Sequence, residues 1–254
     1  MKIGLALASV LVALGLGCAG SVRFTAGNPA TETPKVESKA VDVEQMVQSV
    51  PLVFYAGSAG AGVLYEVNGK IGMVTAAHVI ADGDVDGKDP VTYATKPIHI
   101  VGYRPGTETI QYTTSAKLVS ISPDEDWAVL EIVDRKEGMA FCHFSDHLPR
   151  IGQEVWAVGS PMFDAGTLSR GIVCHPQRTP AVHESKRMQF IHTDAAGTLG
   201  SSGGGLFTSD GLCVGIIVRK NPMNDTMYAV PTRTIHEALC GMFLPPDPMP
   251  PFVE

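Results

Sequence analysis

The sequence predicts an all-β chain of barrels or sandwiches in two sets of similar size. Three observations carry this. Of 254 residues, 27 are glycine and 18 are proline, above the usual ~7% and ~5%, which favours turns and short strands over long helices. Short β-type apolar runs recur between Val50 and Val230, separated by turn residues. Only one segment, 232–243, has clear helical spacing.

Taken in order, residues 1–20 carry Lys2 and then an uncharged run from Ile3 to Gly17, the pattern of an export signal. Leu14 to Cys18 is similar to the box preceding a lipidated cysteine, with Gly15 where such boxes carry Leu. Three readings fit: a lipoprotein anchored to a membrane through Cys18, a soluble exported protein, or an uncleaved anchor. The third rests on the uncharged stretch Ile3 to Val22, near the length of a spanning helix. All three place the rest of the chain outside the cytoplasm, in a periplasm or cell envelope. Residues 21–46 are polar, contain Pro29 and Pro34 and show no period, so they read as a flexible tether. The folded unit is then 47–243.

Its first half, about 47–135, begins with Val50–Tyr55. Val63–Val67, Asn68-Gly69 and Ile71–Thr75 read as a hairpin, since Asn-Gly favours the tight turn that matches strand twist. Further strands are expected at 97–103, 109–121 and 127–133, followed by a loose stretch at 134–150. The second half, about 150–231, supplies runs at 154–158, 171–174, 188–193, 204–208, 212–218 and 227–230. In the closing helix, Ile235, Leu239 and Phe243 fall on one face, with Thr232 or Thr234 placed to cap its start. Residues 244–254 hold five prolines and read as an extended tail.

Composition excludes several classes. The chain is 44% apolar and 18% charged, too apolar for a disordered chain. A formal net charge of −7 argues against a non-specific nucleic-acid binder, which needs a basic face. No repeat of 20–50 residues marks a solenoid or propeller. Cys142, Cys174, Cys213 and Cys240 permit two disulfides in any of three connectivities, or buried free thiols. Cys142, His143, Asp146 and His147 do not follow a standard ligand spacing, so no metal is expected, and nothing calls for a cofactor.

Three segments carry chemistry. In Gly72 to Ile80, His78 stands where a strand ends, next to small Ala76 and Ala77. In Ser122 to Ile132, Asp126 abuts a hydrophobic run, where it can accept a bond from a histidine Nδ1–H and fix its tautomer. In Thr193 to Phe207, four glycines flank Ser201 and Ser202. That run lacks the lysine of a phosphate loop. It suits a nucleophile loop, whose glycines turn backbone N–H groups toward one point, where they can hold an oxyanion. A serine nucleophile needs a base, and the base needs an orienting acid. The order His, Asp, Ser is that of chymotrypsin-like enzymes. His78 and Ser202 would then meet between two barrels. His192 and Asp194 read as structural.

Together these segments resemble the trypsin-fold serine peptidases, and within them the HtrA/Deg branch. Gly60-Ala-Gly-Val-Leu, Val74 to Val79, Val155 to Pro161, Ser169 to Val173, Thr193 to Ala196, Gly200 to Gly204, Val214 to Ile216 and Tyr228 to Pro231 follow that branch's order. The resemblance covers roughly 50–240. It implies a double six-stranded β-barrel with a C-terminal helix. It implies His78 as base, Asp126 as its orienter, Ser202 as nucleophile, and the amides of Gly200 and Ser202 as oxyanion hole. It places Ala196, Gly197, Ile217, Val218, Arg219 and Lys220 around the first substrate pocket. No acid sits at the pocket base, so a small or medium apolar residue is expected before the scissile bond, with attraction of acidic side chains by Arg219 and Lys220 as the alternative. Ser201 replaces the branch's Asn, Gly205 its Pro and Trp127 a common Leu, and none of these removes a catalytic group. Only a short tail follows the helix, so the branch's peptide-binding PDZ module is not expected. The expected function is an exported serine endopeptidase acting on protein or peptide substrates. The alternative is a catalytically silent scaffold of the envelope.

Overall fold

A computed structural model describes residues 42–83, 91–179, 188–197, 199–221 and 223–243. The export signal, Cys18, most of the tether and the proline-rich tail lie outside the described residues. Six strands form the first barrel: β1 Leu52–Tyr55, β2 Ser58–Val67, β3 Lys70–Thr75, β4 Ile98–Tyr103, β5 Ile110–Ser122 and β6 Trp127–Ile132. They close in the order β1-β2-β3-β6-β5-β4, with Leu52 opposite Val101 at the seam. Six more form the second: β7 Glu154–Gly159, β8 Thr167–Arg178, β9 Phe190–Thr193, β10 Gly205–Thr208, β11 Leu212–Lys220 and β12 Met227–Pro231. Their order is β10-β7-β8-β9-β12-β11, and pairing of Gly205 with Ile216 closes the ring. The chain is all-β, with two closed six-stranded barrels.

Local sequence explains the elements. Asn68 and Gly69 both have positive φ, 52° and 75°, the geometry a two-residue hairpin requires. Two cross-strand pairs place a tyrosine flat over a glycine: Tyr65 opposite Gly72 and Tyr112 opposite Gly102. A Cβ at either glycine would fall 2.2 Å from the ring, so no side chain fits there. In β6 every residue but Glu131 is buried, so the strand runs through the interior.

Two segments differ from the sequence reading. The tether was expected to reach residue 46, but α1 occupies Val43–Gln48. Asp42 caps it, accepting from the Gln45 amide at 3.0 Å, and Met46 is buried. Six residues are too few to display a helical period, so the local cap is the only signal. The run expected at 171–174 is the middle of the much longer β8.

The closing helix, α2 (Thr232–Phe243), buries Ile235 and Leu239 in a core cluster that also holds Val63, Leu130 and Phe207 from both barrels. The Thr232 hydroxyl does not cap the helix. It donates to the Ser145 carbonyl at 2.7 Å, with the Cys213 carbonyl 3.2 Å away. The stretch between the barrels is tied to both of them. The Cys142 amide donates to the Leu64 carbonyl at 3.0 Å, and His143 and Phe144 pair in parallel with Leu212 and Cys213. Cys142, Cys174 and Cys213 are free thiols. The Cys213 thiol donates to the Gly215 carbonyl at 3.5 Å, and burial pushes the Cys142 thiol well up from its ordinary pKa. His147 lies apart at the surface beside Asp146.

His192 is buried in the second barrel. Its Nε2 lies 2.7 Å from the Thr226 hydroxyl, and its ring stacks on Tyr228 with centroids 4.9 Å apart. Burial, reinforced by Arg178 and His175, holds its pKa below the ordinary histidine value. Folding therefore favours the neutral ring. The resulting stability is complete above the unfolded pKa of about 6.5 and declines as pH falls through and below that value. Thermal melts from pH 7.5 to 5 should show a falling midpoint, and His192→Gln should flatten that slope.

Candidate active site

The strand β3 delivers the first side chain. It ends at Thr75 in the interior, and a short 3-10 turn, Ala77–Ile80, follows. Ala76 and Ala77 are buried, and their small size lets the turn pack closely. His78 is left at the surface of a cleft, its side chain 35% exposed.

The turn before β6 delivers the second. The Asp126 amide donates to the Pro123 carbonyl at 3.2 Å, and Asp126 has φ of 58°. Aspartate tolerates this left-handed region better than most residues. The Asp126 carbonyl accepts from the Ala77 amide at 3.2 Å. One carboxylate oxygen accepts from the His78 amide at 3.0 Å. Both oxygens lie against His78 Nδ1, at 3.0 and 2.9 Å. The backbone around Asp126 and the backbone around His78 are thus locked together before the side chains meet. Glu125 steadies the turn by accepting from the Trp127 indole at 2.7 Å. A carboxylate on Nδ1 favours the tautomer that carries the proton there, which leaves Nε2 as an acceptor.

The glycine-rich loop delivers the third, and it is strapped to both barrels. The Ala61 amide of β2 donates to the Ser202 carbonyl at 2.8 Å. On the other side, the Gly203 amide donates to the Ile217 carbonyl at 2.7 Å, and the Ile217 amide to the Gly204 carbonyl at 2.8 Å. Gly203 has φ of 85°, and a Cβ there would lie 2.0 Å from the Ala61 carbonyl. Gly200 has φ of 96°, and a Cβ there would meet the Ser160 carbonyl at 2.3 Å. Among the described residues, neither the Gly200 amide nor the Ser202 amide has an acceptor. Such donors can serve a developing negative charge.

His78 and Ser202 line one cleft of about 410 Å³, together with Leu199, Ser201, Ile217, Val218, Arg219, Lys220 and Met227. A family model described as "Trypsin-like peptidase domain" matches residues 60–216. The chain belongs to that family. It is 37% identical over 164 residues to a "Serine protease Do-like HtrA" of Lactobacillus helveticus, covering 63% of this chain and 35% of that protein. It is 34% identical over 200 residues to a "Probable periplasmic serine endoprotease DegP-like" of Rickettsia conorii, covering 76% and 34%. The chain thus spans about a third of the length of these curated relatives. In fold it resembles an HtrA-type protease, an AlgW variant solved with a tripeptide. The TM-score is 0.61 at 24% identity, over 79% of this chain and 62% of that one.

Within this peptidase domain, the residues expected around the substrate pocket divide. Ile217, Val218, Arg219 and Lys220 line the cleft. Ala196 lines a much smaller neighbouring cavity, which shares Ser201 and Ile217 with the cleft. Gly197 lies against Met227, whose sulfur would be 2.2 Å from an added Cβ. Sequence reasoning missed Leu199, Ser201 and Met227 as cleft residues. Leu199 and Ser201 stand inside the glycine-rich run and could have been found there. Met227 comes from β12, and no local signal marks it.

Gly203→Ala should lower stability by about 2 kcal/mol or more, because strain and collision add. Gly69→Ala, whose Cβ would meet nothing within 4 Å, should cost only about 1 kcal/mol. Urea denaturation of both variants measures the difference.

Proposed function

We propose that the chain is a serine endopeptidase that hydrolyses peptide bonds through an acyl-enzyme. The observation that carries this is the Asp126 carboxylate seated on His78 Nδ1, at the wall of the cleft that Ser202 also lines. Ser202 Oγ attacks the scissile carbonyl while His78 Nε2 takes its proton. Asp126 holds the tautomer and stabilises the imidazolium that forms. The amides of Gly200 and Ser202 donate to the oxyanion. Collapse of the tetrahedral intermediate breaks the C–N bond, and the proton on His78 passes to the leaving amine. Water, activated by the same imidazole, then hydrolyses the acyl-enzyme.

The open edge of β11 is the bed for the substrate chain. β10 pairs with β11 only as far as Ile216, and Ile217 bonds to Gly203 and Gly204. Beyond that, no described residue pairs with this edge of Val218 to Lys220. An extended peptide adding there would lie antiparallel, delivering its scissile bond to Ser202. Leu199, Ile217, Val218 and Met227 make the cleft apolar, which suits a small or medium apolar side chain before that bond. The domain works outside the cytoplasm, in keeping with the signal-like residues 1–20 and with relatives named as periplasmic. Among the described residues, no helix is long and apolar enough to cross a membrane.

A fluorophosphonate probe should label the protein, and Ser202→Ala should abolish the label. Asp126→Asn should reduce kcat by about 10³ to 10⁴, since the histidine then adopts the wrong tautomer. Folded protein that neither takes the label nor cleaves unfolded casein would sink the reading.

A further inference from the structure

We propose that Arg219 reads an acidic side chain of the substrate, on the third residue before the scissile bond. This rests on the peptidase reading and deepens it. The sequence places two cations at the end of β11, and the structure separates their roles. The Lys220 ammonium sits 2.8 Å from Asp225 and holds that carboxyl below its ordinary pKa. It already has its counter-charge. Arg219 is exposed, lines the same cleft and has no ion pair among the described residues. The Asp126 carboxylate is engaged by His78.

Register fixes which substrate residue Arg219 meets. Ile217 is bonded to Gly203 and Gly204, directly after Ser202, so the residue before the scissile bond lies beside Ile217. Arg219 is two residues farther along the open edge; the bulge at Val218, with Ile217 opposite Ala229 and Arg219 opposite Tyr228, lies in the pairing with β12 on the other edge. On an antiparallel substrate strand, that is two residues farther toward the substrate's N-terminus. A guanidinium forks onto a carboxylate through two parallel N–H donors. It also repels a lysine at the same place. The apolar cleft and the cation are therefore separate readers, one for the residue at the bond and one for the residue two before it.

Three internally quenched peptides test this, each with valine before the scissile bond and with Glu, Gln or Lys two residues earlier. Wild type should cleave the Glu peptide about fivefold faster in kcat/KM than the Gln peptide, the size of an exposed ion pair, with Lys slowest. Raising salt should narrow the gap. Arg219→Ala should remove the order, and Arg219→Glu should invert it. An inversion cannot come from misfolding. Equal cleavage of all three by wild type overturns the role of Arg219 and leaves the peptidase reading standing. No cleavage of any of them, with no fluorophosphonate label, removes both.

Discussion

The hydrogen bond from the Ala61 amide to the Ser202 carbonyl is the constraint on which the cleft depends. Ser202 lies in a loop, so its backbone groups lack strand partners of their own. Ala61 supplies one from the first barrel, and Ile217 braces the following glycines from the second. The Ala61 carbonyl in turn accepts from the Thr75 hydroxyl at 2.7 Å, three residues before His78. A short buried chain of polar contacts therefore runs from the strand that carries the histidine to the loop that carries the serine. Glycine at 203 is the condition for it, since any side chain there would occupy the space of the Ala61 carbonyl. Neither barrel alone could hold the two side chains at one cleft.

The two barrels repeat one pairing plan. Counting strands within each half, both close as first, second, third, sixth, fifth, fourth. The sequence shows no repeat, because the plan lives in backbone pairing and in which face is apolar. Many different side chains satisfy it. Both halves deploy their loops at the shared face, the first giving His78 and Asp126 and the second giving Ser202.

Legibility in the sequence followed the range of the interaction. The Asn68-Gly69 hairpin and the face of α2 were readable because neighbours in sequence decide them. The run around Ser202 was readable because glycine at 200, 203 and 204 announces an unusual backbone. The helix α1 was not, since its six residues show too short a pattern and its side chains are held by distant partners, Gln45 by Phe141 and Gln48 by Gly138. Of the two threonines placed to cap α2, Thr232 instead turns its hydroxyl to a long-range contact with Ser145. Met227 entered the cleft from a strand that sequence reasoning could place but not orient. The positive φ of Asp126 was likewise hidden, since it follows from the turn meeting Ala77 and His78 across the barrel.

The segment joining the barrels has a bearing on how the molecule can be divided. It is sequence that looks like a linker, yet it lends an amide to Leu64 on one side and a short parallel strand to β11 on the other. Its buried Cys142 shares one core cluster with residues of both barrels and of α2. A chain cut there would leave two fragments with raw, matching faces. Each would leave part of the shared core cluster open to water, so the pair of barrels, with the segment between them, is the unit that folds.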